Sequence, residues 1–154
     1  MRIIQISNGL IHQTIVQLQR AGDTGQERVV LWLGIPGDVV RVTEIFVPRQ
    51  TAASDYFHIP REGMAQLMQH LRESDLMVAA QVHSHPYQAF HSKADDDWAI
   101  VRHVGALSFV LPYFALETSS DSFASDAILF ELSEHNQWIE VPKSEIFTRF
   151  SITQ

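Results

Sequence analysis

Residues 76–86 constrain this chain more than any other stretch. Leu76 to Val82 is an apolar run of strand length, His83 and His85 alternate at its end, and Pro86 stops it. On a strand, residues i and i+2 share a face. The two imidazoles therefore point together while Ser84 turns away. The loop that follows carries Ser92 and Asp95. A carboxylate from this loop gives a metal ion three protein ligands and leaves one position open, which separates catalytic zinc sites from closed structural ones. A His-x-His pair is a weak sign by itself, because such pairs are commonly solvated or structural. Here an anchoring strand, a turn-forming proline and a nearby hydroxyl and carboxylate accompany it, and together they point to a metal.

Composition narrows the chemistry. The chain has no cysteine, which excludes disulfides, a thiol nucleophile and every Cys-built zinc site, that of the deaminases included. Any transition-metal site must use histidine and carboxylate. The net charge is −7 with no Lys/Arg cluster, so nucleic acid is not expected as a partner. No apolar run reaches the ~18 residues of a membrane span. The apolar block at Met1 to Ile6 is too short for a secretory signal. The expectation is a cytoplasmic protein. Its 154 residues, 45% hydrophobic, suit one domain over 1–154 with a real core.

The pattern predicts a mixed α/β fold. Ile11 to Leu18 has weak helical spacing, and Ala21 to Gln26 reads as a turn. Val29–Ile35 and Val39–Val47 are strand-like runs around Pro36-Gly37-Asp38, and a hairpin is expected. Thr51 to Ile59 reads as a loop. Residues 60–73 space Met64, Leu67, Met68 and Leu71 as an amphipathic helix, with Pro60 at its first position. A short helix is expected over Asp96–Val104, with acidic residues at its start. Strands follow at Leu107–Leu111, Ala127–Leu132 and Gln137–Val141, with a closing helix over Ser144–Phe150. Strands and helices alternate irregularly, so the sheet is not expected to be purely parallel.

Hydrolysis at such a metal needs a general base. Spacing leaves Glu27, Glu44, Glu62 and Glu73 open. Glu27 stands just before an apolar strand, where a carboxylate can overhang a site; by position alone it reads as a solvated glutamate beside Arg28. The remaining residues carry plainer readings. Trp32, Trp98 and Trp138 are core or half-buried aromatics, and Met64 and Met68 face the core. His12, His58, His70, His103 and His135 are solvated. Ser7-Asn8-Gly9 is a turn, and no phosphate-binding glycine loop is present.

His83-Ser84-His85-Pro86 followed by Ser92-Lys93-Ala94-Asp95 resembles the His-x-His-Pro…Ser-x-x-Asp signature of the JAB/MPN (JAMM) metalloproteases, zinc isopeptidases that act on ubiquitin and ubiquitin-like proteins. Glu27 to Gly34 resembles the family's Glu-led segment, and Gly105 to Pro112 the strand after the signature in prokaryotic members. The resemblance spans roughly residues 8 to 142. It implies a curved mixed sheet flanked by helices, similar to that of deaminases. It implies that His83, His85 and Asp95 bind Zn2+, that Glu27 is the acid/base, and that Ser92 donates to the oxyanion of the tetrahedral intermediate. The chain departs from the pattern once. The family commonly has ten residues between the second histidine and the aspartate; nine separate His85 from Asp95 and ten separate it from Asp96. Asp95 keeps the Ser-x-x-Asp spacing and is the favoured ligand, with Asp96 as fallback; His91 reads as a loop histidine beside the site, with a spare ligand as the alternative.

The implied reaction is hydrolysis of the bond after the C-terminal glycine of a ubiquitin-like protein, in deconjugation or precursor processing. The chain looks like the short prokaryotic branch, whose members often accompany ubiquitin-like proteins and their activating or conjugating enzymes. Two competitors stand beside this reading. One is a metal-free scaffold module, which usually lacks the His-x-His or the aspartate. The other is a zinc peptidase for a sulfur-carrier protein.

Overall fold

The computed structural model describes residues 3–52, 57–92, 95 and 99–154. Among them a mixed eight-stranded sheet dominates. Its strands are β1 (Ile3–Ser7), β2 (Val29–Ile35), β3 (Val39–Phe46), β6 (Met77–Ser84), β7 (Leu107–Leu111), β8 (Ile128–Leu132), β9 (Trp138–Glu140) and β10 (Phe150–Thr153). The spatial order is β10-β1-β3-β2-β6-β7-β8-β9. Two residues each of β4 (Thr51–Ala52) and β5 (Phe57–His58) form a separate ladder inside the expected loop. The β2–β3 hairpin forms as expected, and β6 pairs antiparallel with β2 and parallel with β7.

One helix covers each face. On α1 (Asn8–Gly22), Ile11, Ile15 and Leu18 face inward. They join a core around Trp32, whose ring lies 5.0 Å from Phe109 and 5.8 Å from Phe123. The buried indole Nε1–H donates to Thr14 Oγ1 at 3.0 Å, so the large ring is sequestered without an orphan donor. On the other face, α2 (Arg61–Ser74) sets Leu67 against Val29, Leu31 and Leu33. The alternation of β2 thus divides its side chains between two layers. A four-residue helix, α3 (Phe123–Asp126), buries Phe123.

Several expectations are corrected. Ser7-Asn8-Gly9 is not a turn: Ser7 caps α1, its hydroxyl accepting from the Leu10 amide at 3.2 Å, and the helix runs on to Gly22. Pro60 is the residue before α2 rather than its first. Met68 is exposed, because the inward face of α2 belongs to Gly63 and Leu67. Residues 99–104 are not helical, and 96–98 lie outside the described residues together with Trp98. The chain end is a 3₁₀ helix over Lys143–Thr148 and then a strand, β10, parallel to β1. His70 is not solvated but half-buried, 2.6 Å from Glu44 and stacked on Phe46. No helix among the described residues is long and apolar enough to cross a membrane.

Gly34 lies where the β2–β3 register shifts. A Cβ there would sit 2.7 Å from the Arg41 carbonyl oxygen. Replacing a strand glycine by alanine ordinarily gains roughly 0.5–1 kcal/mol, but overpacking against backbone costs about 1–3 kcal/mol. The second effect wins, so Gly34→Ala should lower the thermal unfolding midpoint. An unchanged or raised midpoint in a melting scan would contradict the contact.

Candidate metal centre

The antiparallel register fixes which residues meet. Val29 pairs with His83, so two residues back on β2 and two residues on from β6 bring Glu27 opposite His85. Glu27 Oε1 lies 3.8 Å from His85 Nδ1, and Glu27 is 1% exposed. Of the four candidate bases it alone reaches this place. Glu44 pairs with His70, Glu73 accepts from Gln69, and Glu62 is exposed on α2.

His83, His85 and Asp95 are buried and each offers one ligand atom, all within 4.8 Å of one another. Asp95 Oδ2 is 3.0 Å from His85 Nε2 and 3.2 Å from His83 Nε2. Zinc bonds of about 2.0–2.1 Å in a tetrahedron put neighbouring ligand atoms about 3.3 Å apart, so the donor set fits such an ion in size and in chemistry. Asp96, the fallback ligand, lies outside the described residues.

Asp95 is placed by a reciprocal pair of bonds. Its amide donates to Ser92 Oγ at 3.0 Å, and the Ser92 amide donates to Asp95 Oδ2 at 2.8 Å. This is a capping box with aspartate in the role usually taken by Glu or Gln. Burial alone would raise the Asp95 carboxyl. The charge of His83, with hydrogen bonds from His83, His85 and the Ser92 amide, overrides that and holds the carboxyl well below the usual carboxylate range. Ser92 Oγ accepts from Asp95, which leaves its own O–H available to donate.

Several supporting contacts escape a sequence reading. Phe90 packs edge-on to His85 at 4.6 Å, and His91 edge-on to His83 at 5.7 Å, so consecutive loop residues brace the two imidazoles. His91, expected beside the site, lies there: its Nε2 is 3.2 Å from the buried Ser108 Oγ, and its ring lies 5.0 Å from both Phe130 and Trp138. Two further groups hold the approach to Glu27. Ser84, turned away from the histidines as expected, accepts from the Arg28 amide at 3.2 Å. Gln50 accepts from the Val29 amide at 2.8 Å and donates to the Val29 carbonyl at 3.0 Å. Its side-chain amide thereby does for Val29 what a neighbouring strand would, just past the end of β3 at Phe46. The only local sign of this is Pro48, which cannot donate a ladder bond.

The wall facing the histidine loop is Tyr113–Ala115. These three non-glycine residues are left-handed in succession, with φ of 54°, 54° and 58°, and each costs about 1–2 kcal/mol in that conformation. They are held by bonds from the Phe114 amide to the His85 carbonyl at 2.7 Å and from the Tyr113 amide to the Tyr87 carbonyl at 2.9 Å. Gln19 Nε2 adds a bond to the Ala115 carbonyl at 2.9 Å. Gly22 admits the turn against α1, because a Cβ there would fall 2.4 Å from Phe114 Cβ.

No protein-family model matches the chain. A "Probable metalloprotease y4jG" of Sinorhizobium fredii is 32% identical over 157 residues, covering 99% of this chain and 95% of its own length. Among solved structures, the crystal structure of a JAB1/MPN domain protein from Archaeoglobus fulgidus superposes with a TM-score of 0.55 at 16% identity. That match covers 97% of this chain and 99% of the other. The solution structure of a protein from Desulfitobacterium hafniense gives 0.71 at 12% identity, covering 99% and 94%. The curved mixed sheet flanked by helices is thus a JAB/MPN-type fold.

Removing the Gln50 side chain strands two polar groups of a fully buried residue. Gln50→Ala should therefore cost about 1–3 kcal/mol. Gln50→Glu, which keeps the acceptor but turns a carboxylate oxygen toward the Val29 and Pro48 carbonyls, should also be destabilised. Urea unfolding of the two variants checks this, and equal stability of Gln50→Ala and the parent would refute the surrogate-strand role.

Proposed function

The chain belongs to the JAB/MPN (JAMM) family of zinc metalloproteases, and on that basis we propose that it hydrolyses the bond after the C-terminal glycine of a ubiquitin-like protein. The observation that carries the hydrolytic part is a buried glutamate beside a buried His-His-Asp cluster. His83, His85 and Asp95 would hold the ion, three ligands that leave room for water and substrate. Zinc, when bound, supplies Lewis acidity: it acidifies water toward neutrality and polarises a carbonyl.

The chain's own groups do the rest. Glu27 takes a proton from the attacking water and delivers it to the departing amine. Its burial keeps competing solvent away from that transfer. Ser92 donates its O–H to the oxygen on which charge develops, and one such donor is typically worth ~3 kcal/mol. Asp95, kept ionised by its neighbours, never competes for the proton that Glu27 carries. No covalent enzyme intermediate is formed, in keeping with the lack of cysteine. The ubiquitin-like substrate is inferred from the family signature on His83 to Asp95, and its conjugates and conjugating enzymes follow as partners.

Two measurements test this. Protein purified without a histidine tag should carry about one zinc per chain, and the His83→Ala/His85→Ala double variant should lose it; unchanged zinc in that variant puts the site elsewhere. Glu27→Gln should keep its zinc yet cleave a ubiquitin-like protein fused through its terminal glycine to a reporter at least about a hundredfold more slowly. Undiminished cleavage by Glu27→Gln would overturn its role.

A further inference from the structure

A cleft of about 430 Å³ opens directly beside the proposed catalytic pair. Glu27 and His85 form one wall, and Pro86, Tyr87, Phe90 and Phe114 form the others. Neither Ser92, His83 nor Asp95 lines it. Among the described residues, the cleft adjoins the proton-carrying glutamate rather than the hydroxyl assigned to the oxyanion. Its mouth is aromatic and open, with Tyr87 75% and Phe90 53% exposed. Exposed large aromatics gathered at a cleft mark a binding surface.

The cleft is also costly to build. Phe114 reaches it from the middle of the left-handed Tyr113–Ala115 turn, which is bonded to the carbonyls of His85 and Tyr87. Strained backbone of this kind persists where its surroundings over-determine it, and it clusters at ligand-contacting positions. Here the turn ties an aromatic wall to the same loop that carries the histidine.

We propose that this cleft is the subsite for a large apolar or aromatic side chain on the residue that departs with the amine. The assignment rests on the reading of Glu27 as the acid/base. A glutamate that protonates the leaving nitrogen must face the leaving residue, and the cleft is the space it faces. A residue leaving through its α-amino group carries its side chain one carbon away from that nitrogen and can set it among Tyr87, Phe90 and Phe114. A lysine leaving through its ε-amino group offers only a methylene stem. The structure thus favours a linear bond followed by a bulky apolar residue, the arrangement of a precursor with a removable tail.

Two experiments on the zinc-loaded full chain separate this proposal from the reading beneath it. The first titrates the peptides Phe-Ala-Ser-amide, Lys-Ala-Ser-amide and Asp-Ala-Ser-amide, each with a free α-amine, by calorimetry or NMR. The Phe peptide should bind at least about tenfold more tightly than the Asp peptide. Tyr87→Ala, at a 75% exposed side chain, and Phe114→Ala should each erode that margin. Equal affinities, no binding up to millimolar concentration, or a margin indifferent to both variants would overturn the proposal. The second experiment digests a randomised peptide mixture and reads the new N-termini by mass spectrometry. Enrichment of Phe, Tyr, Leu or Met there supports the subsite, and cleavage without such enrichment sinks it while leaving the hydrolase standing. Selective binding of the Phe peptide without cleavage of any substrate would instead sink the hydrolase and keep the cleft as an apolar binding site.

Discussion

The site depends on one pairing, β2 against β6, in the register that sets Val29 opposite His83. This register alone delivers Glu27 to His85. A slip by one residue would turn His83 and His85 toward the α1 core and expose the apolar set of β2 to the wrong layer. Packing guards against the slip from both sides: Val30, Trp32 and Val82 belong to the α1 core, and Val29, Leu31 and Leu33 to the α2 core. The pairing continues to the edge of the site, where the Ser84 amide donates to the Arg28 carbonyl at 3.2 Å. Side chains reinforce it there, with Ser84 Oγ accepting from the Arg28 amide and Gln50 bound to both polar groups of Val29. These backbone clamps help to fix the glutamate beside His85.

Four ionisable side chains, Glu27, His83, His85 and Asp95, are gathered in the interior. Burying such groups is unfavourable unless they are paired or coordinate a metal. The cluster partly compensates itself, most clearly at Asp95, where proximity to His83 defeats the desolvation that would otherwise neutralise the carboxylate. Its aspartate oxygen already stands 3.0 and 3.2 Å from the two imidazole nitrogens, near the spacing a tetrahedral ion needs, and the capping box keeps the aspartate from relaxing away. The stability forgone in assembling these groups is supplied by the aromatic core around Trp32 on the opposite face of the sheet.

Much of this was legible along the chain where the cause is local. Strands β2 and β7 coincide with their apolar runs, Val29–Ile35 and Leu107–Leu111, because both are buried but for Ile35 and are bounded by turn residues. The His-x-His face follows from strand periodicity. What was hidden is non-local. Strand β10 exists because Phe150–Thr153 pairs with Ile4–Ser7 at the far end of the chain, and four residues carry no period that announces a strand. Gln50, Phe90 and His91 act through side-chain contacts that no spacing encodes. Position alone made Glu27 a solvated glutamate; only the strand register, a tertiary fact, buries it.

The single departure from the family spacing has a physical reading. Ser92 and Asp95 exchange two hydrogen bonds that require three positions of separation, the fixed geometry of a capping box. The stretch from Pro86 to His91 obeys no such rule. It is a loop whose ends are held by other means: the strand fixes His85, and the capping box fixes Ser92. A loop pinned at both ends loses or gains a residue at small entropic cost, whereas one residue removed between Ser92 and Asp95 would break both bonds and withdraw the carboxylate oxygen from the two imidazoles. The shortening therefore belongs in the loop, and it falls among the residues that form the aromatic cleft. Tyr87 and Phe90 sit in this less constrained segment, while the ligands on either side are held by the strand and by the capping box. Substitution at the exposed Tyr87 can thus alter what the cleft admits, whereas Phe90, packed edge-on to His85, couples the cleft to the centre itself.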